Sequence, residues 1–241
     1  MKKVLVLDAC IRREESRTKK LLDRAVGMMK ELHEDWSFEI LEVDRLPIRF
    51  FDQESLMERD RLLAEGRRDH PRFDLAHQFA EADAIVIGAP FWDLSIPAAL
   101  KVYIENISVD GITFGCNAEG LYGKCKAQWM YFLTTRGCAF ENTDMENGAR
   151  YLEGLCKMFG IDAFYEVHAE GLDMEGAEIS RLMEAALAEA EHVAEGLVLR
   201  GGYLIIGNDA RCYQENPEEF RAVYIVKDQH IKENSGGKLS H

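Results

Sequence analysis

The sequence predicts an α/β fold: a doubly wound parallel sheet of five strands in the order 2-1-3-4-5, followed by a C-terminal extension. Three observations carry this. Val4-Leu5-Val6-Leu7 and Ala84-Ile85-Val86-Ile87 are apolar runs without alternation, the pattern of strands buried on both faces. Strand candidates alternate with helical candidates five times along the chain. No linker rich in Pro, Gly and Ser and no internal repeat divides the 241 residues. The domain is therefore set at residues 1–199 and the extension at 200–241.

The first strand ends at Asp8-Ala9-Cys10, and the loop Ile11-Arg12-Arg13-Glu14-Glu15 leads to Ser16-Arg17-Thr18. Leu21, Leu22, Ala25, Met28, Met29 and Leu32 then keep helical spacing on one face, with Ser16 as the N-cap. A helix start offers unpaired N–H groups and a positive dipole end. The hydroxyls at 16 and 18 add donors, and Arg12, Arg13 or Arg17 adds charge. The segment is thus either a phosphate site or a plain cap with solvated arginines. Dinucleotide-fingerprint glycines and a Gly-Lys-Ser/Thr loop are absent.

Phe38 to Val43 alternates in part and predicts a strand nearer the sheet edge. A charged excursion follows, with a short helix from Ser55 to Ala64 that Gly66 ends, and a second helix from Phe73 to Ala82. The strand from Ala84 stops at Gly88. Pro90 has no N–H for a ladder, and Phe91, Trp92, Asp93 and Leu94 follow where the chain leaves the sheet. Ligands of open α/β sheets sit outside the carboxyl ends of strands. These aromatics therefore suit a flat aromatic ligand, or else they plug the sheet end.

Ser95-Ile96-Pro97 opens the next helix. Gly111, Gly115, Gly120 and Gly123 punctuate a segment carrying Ile112, Phe114, Leu121 and Tyr122, which predicts a hairpin or flap. Ala127 to Thr134 is the fourth strand, followed by Thr135-Arg136-Gly137-Cys138. A helix from Asn147 to Phe159 closes at Gly160, Phe164 to Ala169 is the fifth strand, and a long helix runs from Glu175 to about Leu199. In the order 2-1-3-4-5, the loops after strands one, three and four meet at one crevice.

The formal net charge of −14 argues against binding nucleic acid or an anionic membrane through a general basic field. The apolar start is cut short by Asp8, Arg12 and Arg13, too early for a signal peptide. No run is long enough to span a bilayer, so a cytoplasmic protein is expected. Six cysteines, at 10, 116, 125, 138, 156 and 212, include no Cys-x-x-Cys pair, and the seven histidines include no His-Glu-x-x-His. No metal site is expected. Cys10 and Cys138 lie on two loops around one crevice, either as packing residues or as reactive thiols.

Taken together, Ser16-Arg17-Thr18, Pro90-Phe91-Trp92-Asp93-Leu94, Leu100-Lys101, Gly111-Ile112-Thr113-Phe114 and Thr135-Arg136-Gly137 resemble the FMN-dependent NADH-azoreductase and NAD(P)H:quinone reductase family, of flavodoxin-like fold. The resemblance runs from Met1 to about Leu197. It implies FMN, with Cys10, Ser16, Arg17 and Thr18 at its phosphate and with Pro90, Phe91, Trp92, Asp93, Leu94, Thr135, Arg136, Gly137 and Cys138 along its ring. It also implies a homodimer and a two-electron, ping-pong transfer from NADH or NADPH to a small aromatic quinone, azo or nitro acceptor. No side-chain acid or base is required, so no catalytic residue is named. Three positions depart from the family pattern: a hydroxyl is common at Cys10, an asparagine at Asp93 and a second glycine at Cys138.

Two other readings share the fold. An electron-carrier flavodoxin fits the acidic charge, but the length, the Thr135-Arg136-Gly137 loop and the aromatic flap fit it less well. A receiver-type signalling domain would want an aspartate where the third strand ends in Gly88-Ala89-Pro90. Beyond the resemblance, Tyr203 to Ile206 and Ala222 to Val226 are β-prone and apolar. They predict either a local hairpin or an arm that extends a dimer interface, with a frayed end after Glu233.

Overall fold

The computed structural model describes residues 1–199; the expected hairpin or arm at 200–241 lies outside them. Five parallel strands form the main sheet: β1 (Lys2–Asp8), β2 (Trp36–Glu42), β3 (Ala84–Gly88), β6 (Trp129–Thr135) and β7 (Ala163–Ala169). Their spatial order is β2-β1-β3-β6-β7. This is the predicted 2-1-3-4-5 order with a hairpin, β4 (Phe114–Asn117) and β5 (Gly120–Gly123), inserted before the fourth sheet strand.

Every residue of β3 is buried, as a central strand requires, whereas edge strand β2 is partly exposed. Side chains alternate between two cores. Leu5, Leu7, Ile85, Ile87, Met130 and Phe132 pack against helices α3 (Asp74–Glu81), α4 (Ala98–Ile107) and α5 (Gly148–Phe159). Val4, Val6, Val86, Tyr131 and Leu133 pack against α1 (Arg17–Leu32) and α6 (Ile179–Gly196). No described helix is long and apolar enough to cross a membrane.

The local signals at helix ends account for most boundaries. Ser16 caps α1, its hydroxyl accepting from the Lys19 N–H at 3.2 Å. Helix α2 (Gln53–Ala64) starts two residues before the expected Ser55, because Asp52 and Ser55 form a reciprocal capping box. The long helix starts at Ile179 and ends at Gly196, within the expected 175–199; Gly171 and Gly176 adopt positive φ in the turns before it.

Two glycines set close approaches. A Cβ on Gly88 would lie 2.7 Å from Leu22 Cδ2, so this glycine lets α1 lie against the carboxyl end of β3. A Cβ on Gly123 would overlap the Phe159 carbonyl carbon and the Gly160 nitrogen. The hairpin therefore packs backbone to backbone on the end of α5, where Gly160 closes the helix at φ 76°.

Candidate functional site

The carboxyl ends of β1, β3 and β6 are adjacent, and short hydrogen bonds lock their loops together. The Ala9 N–H donates to Gly88 O at 2.8 Å, the Ala89 N–H to Leu133 O at 3.1 Å and the Phe91 N–H to Thr135 O at 3.1 Å. The three sequence-predicted loops thus border one crevice, as the strand order required.

At the first loop, Ser16 and Thr18 are buried. The Ser16 hydroxyl accepts a capping bond and is also hydrogen-bonded with the Cys10 thiol. The Thr18 and Thr135 hydroxyls share a 2.7 Å hydrogen bond, so Thr18 ties the helix start to the third loop. The N–H groups of Arg17 and Thr18 make no hydrogen bond among the described residues, leaving two donors at the positive end of α1. Arg17 pairs with Asp173 at 2.8 Å and Arg13 with Asp44 at 2.7 Å; Arg12 has no ion pair among the described residues.

Cys10 is wholly buried, its N–H donating to Asp8 Oδ1 at 2.8 Å and its thiol to Gly88 O at 3.5 Å. Burial, and then the charge of Asp8, push its pKa up. The structure therefore favours the packing role over a reactive thiolate at this position. Cys138 is exposed.

The second loop is a two-residue turn. Trp92 and Ser95 exchange both backbone hydrogen bonds, at 3.0 and 2.9 Å. Between them Asp93 and Leu94 have φ of 48° and 65°, both positive, as in a type I′ turn. Aspartate and asparagine tolerate this conformation; leucine does not, and the strain is on the order of 1–3 kcal/mol. The turn holds Trp92 and Leu94 out, 40% and 39% exposed. Phe91 instead packs inward, 4.9 Å from the Phe140 ring centroid. Of the two expected aromatics, Trp92 faces outward and Phe91 anchors the loop.

The third loop divides in the same way. Arg136 is buried, with its guanidinium against Glu166, 3.5 Å from Glu146, 3.6 Å from Glu170 and 5.5 Å from the Phe91 ring centroid. Its side chain holds the loop from beneath. Gly137 and Cys138 follow it, and their N–H groups make no hydrogen bond among the described residues. The Gly137 carbonyl accepts from the Asp173 N–H at 2.8 Å, and a Cβ on Gly137 would lie 2.7 Å from Asp173 Oδ2.

The carboxylates around Arg136 went unread in the sequence, although Glu166, His168 and Glu170 recur at every second residue, the spacing of one strand face. His168 Nδ1 lies 3.3 Å from Glu166. Glu170 also accepts from the Phe140 and Glu141 N–H groups, at 2.8 and 3.0 Å, shaping the loop after Cys138. Ligand atoms of Glu141, His168 and Glu170 lie within 4.8 Å of one another, and Glu170 is already engaged by Arg136 and those two N–H groups.

A crevice between the first and third sheet strands, bordered by a helix start, an exposed turn and a loop whose N–H groups make no hydrogen bond among the described residues, lies where ligands sit in open α/β sheets. A family model described as flavodoxin-like fold matches residues 2–193. The chain belongs to the flavodoxin-like family.

Within this flavodoxin-like family the chain is similar to proteins named FMN-dependent NADH:quinone oxidoreductase. That of Clostridium beijerinckii is 34% identical over 196 residues, spanning 81% of this chain and 99% of the relative. That of Caldicellulosiruptor bescii is 32% identical over 186 residues, spanning 76% of this chain and 92% of the relative. Among solved structures, the azoreductase of Bacillus anthracis superposes with a TM-score of 0.74 at 25% identity, covering 82% of this chain and all of that one.

The flavodoxin-like crevice fits a flavin mononucleotide on its own chemistry. Two N–H groups without a partner among the described residues, and the Ser16 hydroxyl, suit a phosphate at the start of α1. The exposed Trp92–Leu94 turn offers apolar surface to a flat ring, and the free N–H groups of Gly137 and Cys138 suit a carbonyl-rich ring edge.

Proposed function

We propose that this chain is an FMN-dependent NAD(P)H oxidoreductase that reduces quinone or azo acceptors by two electrons. The observation that carries the reading is the pairing, across one crevice, of two sets of backbone donors that make no hydrogen bond among the described residues. One set is at Arg17 and Thr18, the other at Gly137 and Cys138, and the Trp92–Leu94 turn also borders the crevice. The names of the relatives support the enzyme over an electron carrier.

Bound FMN supplies hydride acceptance and two-electron transfer, while the protein binds and tunes it. The first turn of α1 and Ser16 would hold the phosphate. The Gly137 and Cys138 N–H groups would stabilise negative charge on the ring edge they face, which favours electrons moving in pairs. Thr18 and Thr135 position these two ends relative to each other. Trp92 would form a wall for a nicotinamide or a flat acceptor. Cys10 and Arg136 would act by positioning, their side chains being engaged within the protein. The resemblance to this family further supports a homodimer, the use of NADPH as well as NADH, and a cytoplasmic location.

The visible spectrum of the purified protein, with and without added FMN, tests the cofactor. A flavin band retained through gel filtration, and tighter binding of FMN than of riboflavin, are expected. Equal affinity for the two would remove the phosphate site. Steady-state oxidation of NADH with menadione tests the enzyme. Parallel initial-rate lines are expected from one shared crevice, and absence of turnover by FMN-loaded protein would return the chain to the electron-carrier reading.

A further inference from the structure

A second concavity adjoins the Trp92–Ser95 turn. It is a groove of ≈ 360 Å³ lined by Ser95, Lys101, Asn147, Arg150 and Tyr151, between the amino-terminal halves of α4 and α5. Ser95 closes the turn, and the Asn147 N–H donates to the Leu94 carbonyl at 3.1 Å, so the groove and the exposed Trp92–Leu94 surface share a wall. In a chain of formal net charge −14 this groove is lined by two cations and no carboxylate.

Each cation is paired, Lys101 also with the Tyr151 hydroxyl, but each keeps donors beyond its partners. Lys101 lies 2.6 Å from Glu105 one turn along α4, and 5.7 Å from the Tyr151 ring centroid. The Arg150 guanidinium donates to the Thr143 carbonyl at 3.1 Å and lies 4.0 Å from the fully exposed Asp144. Each side chain is about half exposed, with donors left over: an ammonium has three and a guanidinium five. The Asn147 amide donates to Met145 O at 3.1 Å, and the Ser95 hydroxyl makes no hydrogen bond among the described residues.

We infer that Lys101 and Arg150, with Ser95 and Tyr151, form an oxyanion-binding subsite for a substrate whose flat part lies against the Trp92–Leu94 turn. The ligand chemistry is a phosphate or sulfonate carried by an aromatic or nucleotide substrate. Two sources supply it: the phosphates of the reduced nicotinamide dinucleotide, or an anionic substituent on the acceptor. A groove of this size takes such a group together with part of its scaffold. The inference rests on the proposed function for its substrates, but its binding test needs no turnover.

The test is titration calorimetry of the full chain and of the double variant Lys101→Gln/Arg150→Gln. The probes are ADP-ribose, anthraquinone-2-sulfonate and neutral anthraquinone. Flavin content is read from the spectrum, and folding from thermal unfolding, since both side chains are at the surface. The double variant is expected to lose roughly tenfold in affinity for ADP-ribose, or in the preference for the sulfonated over the neutral quinone, as expected for losing a charge-assisted contact. Loss with ADP-ribose assigns the subsite to the reductant; loss with the sulfonate assigns it to the acceptor. Affinities for both within twofold of the unsubstituted chain, or no binding of either anion by that chain, would overturn the subsite. A chain that holds no FMN yet shows the anion effect would instead overturn the proposed function and leave the subsite standing.

Discussion

The hydroxyls of Thr18 and Thr135 lie 2.7 Å apart, joining the first turn of α1 to the last residue of β6 across 117 residues of chain. Thr18 is wholly buried, so this bond fixes the distance between the two ends of the crevice.

Thr18→Ala should therefore cost about 1 kcal/mol, because it removes a buried hydrogen bond and leaves the Thr135 hydroxyl without its partner. The double change Thr18→Val with Thr135→Val should cost less than the sum of the two single valine changes, since neither polar group is then orphaned. Urea unfolding of the four proteins of this cycle measures the coupling. Strict additivity would mean that the bond carries no energy.

Arg136→Ala should be among the most damaging single changes in the domain. Glu146, Glu166 and Glu170 surround a guanidinium that is 1% exposed, and removing one partner of a buried pair costs on the order of 3–5 kcal/mol. Arg136→Lys should rescue only part of this, because an ammonium cannot fork toward three carboxylates. Chemical denaturation checks both; a loss for Arg136→Ala below 1 kcal/mol would contradict the buried network.

Leu94→Gly should separate stability from binding. Glycine adopts φ of 65° without strain, so the folded protein should gain up to about 1 kcal/mol after the entropic loss of a freer unfolded chain. The same change removes an exposed apolar side chain beside the crevice and should weaken FMN. Thermal unfolding paired with FMN titration reads the two effects. A variant destabilised with FMN affinity intact would reverse this assignment.

His168 gives a pH dependence. Burial opposes its charge, but its hydrogen bond to Glu166 and the charges of Glu166 and Glu170 outweigh burial and the repulsion of Arg136, so its pKa is raised. A raised folded pKa contributes stability that is complete below the unfolded value, about 6.5, and is lost as pH rises through the folded value. The stability advantage of the unsubstituted chain over His168→Gln should thus shrink as pH rises above about 6.5. Unfolding free energies at several pH values check this, and an advantage that grows with pH would mean the charged form is not the favoured one.

Features read from the sequence were those encoded locally. The runs at Val4 and Ala84 fix strand identity because a strand buried on both faces admits no polar alternation. Ser16 fixes a helix start because its hydroxyl reaches the Lys19 N–H only three residues away. The parallel doubly wound class then followed from the alternation of elements, and in the order 2-1-3-4-5 three loops meet at one crevice.

Tertiary structure decided what each loop residue does there. Arg136 sits in sequence beside Gly137, and the family resemblance implied that it lies along the ring of a ligand. Only the fold brings Glu146 from before α5, and Glu166 and Glu170 from the last sheet strand and the residue after it, to surround it. Leu94 is a poor residue for positive φ, so no local preference announced the turn that holds it there; its backbone is fixed by the Trp92–Ser95 bridge and the distant Asn147 N–H. Propensity and periodicity act over a few residues and are legible in the chain. The burial of a charge, and the choice of which donors stay free, depend on partners about ten to more than one hundred residues away, brought into contact only when the sheet closes its two cores.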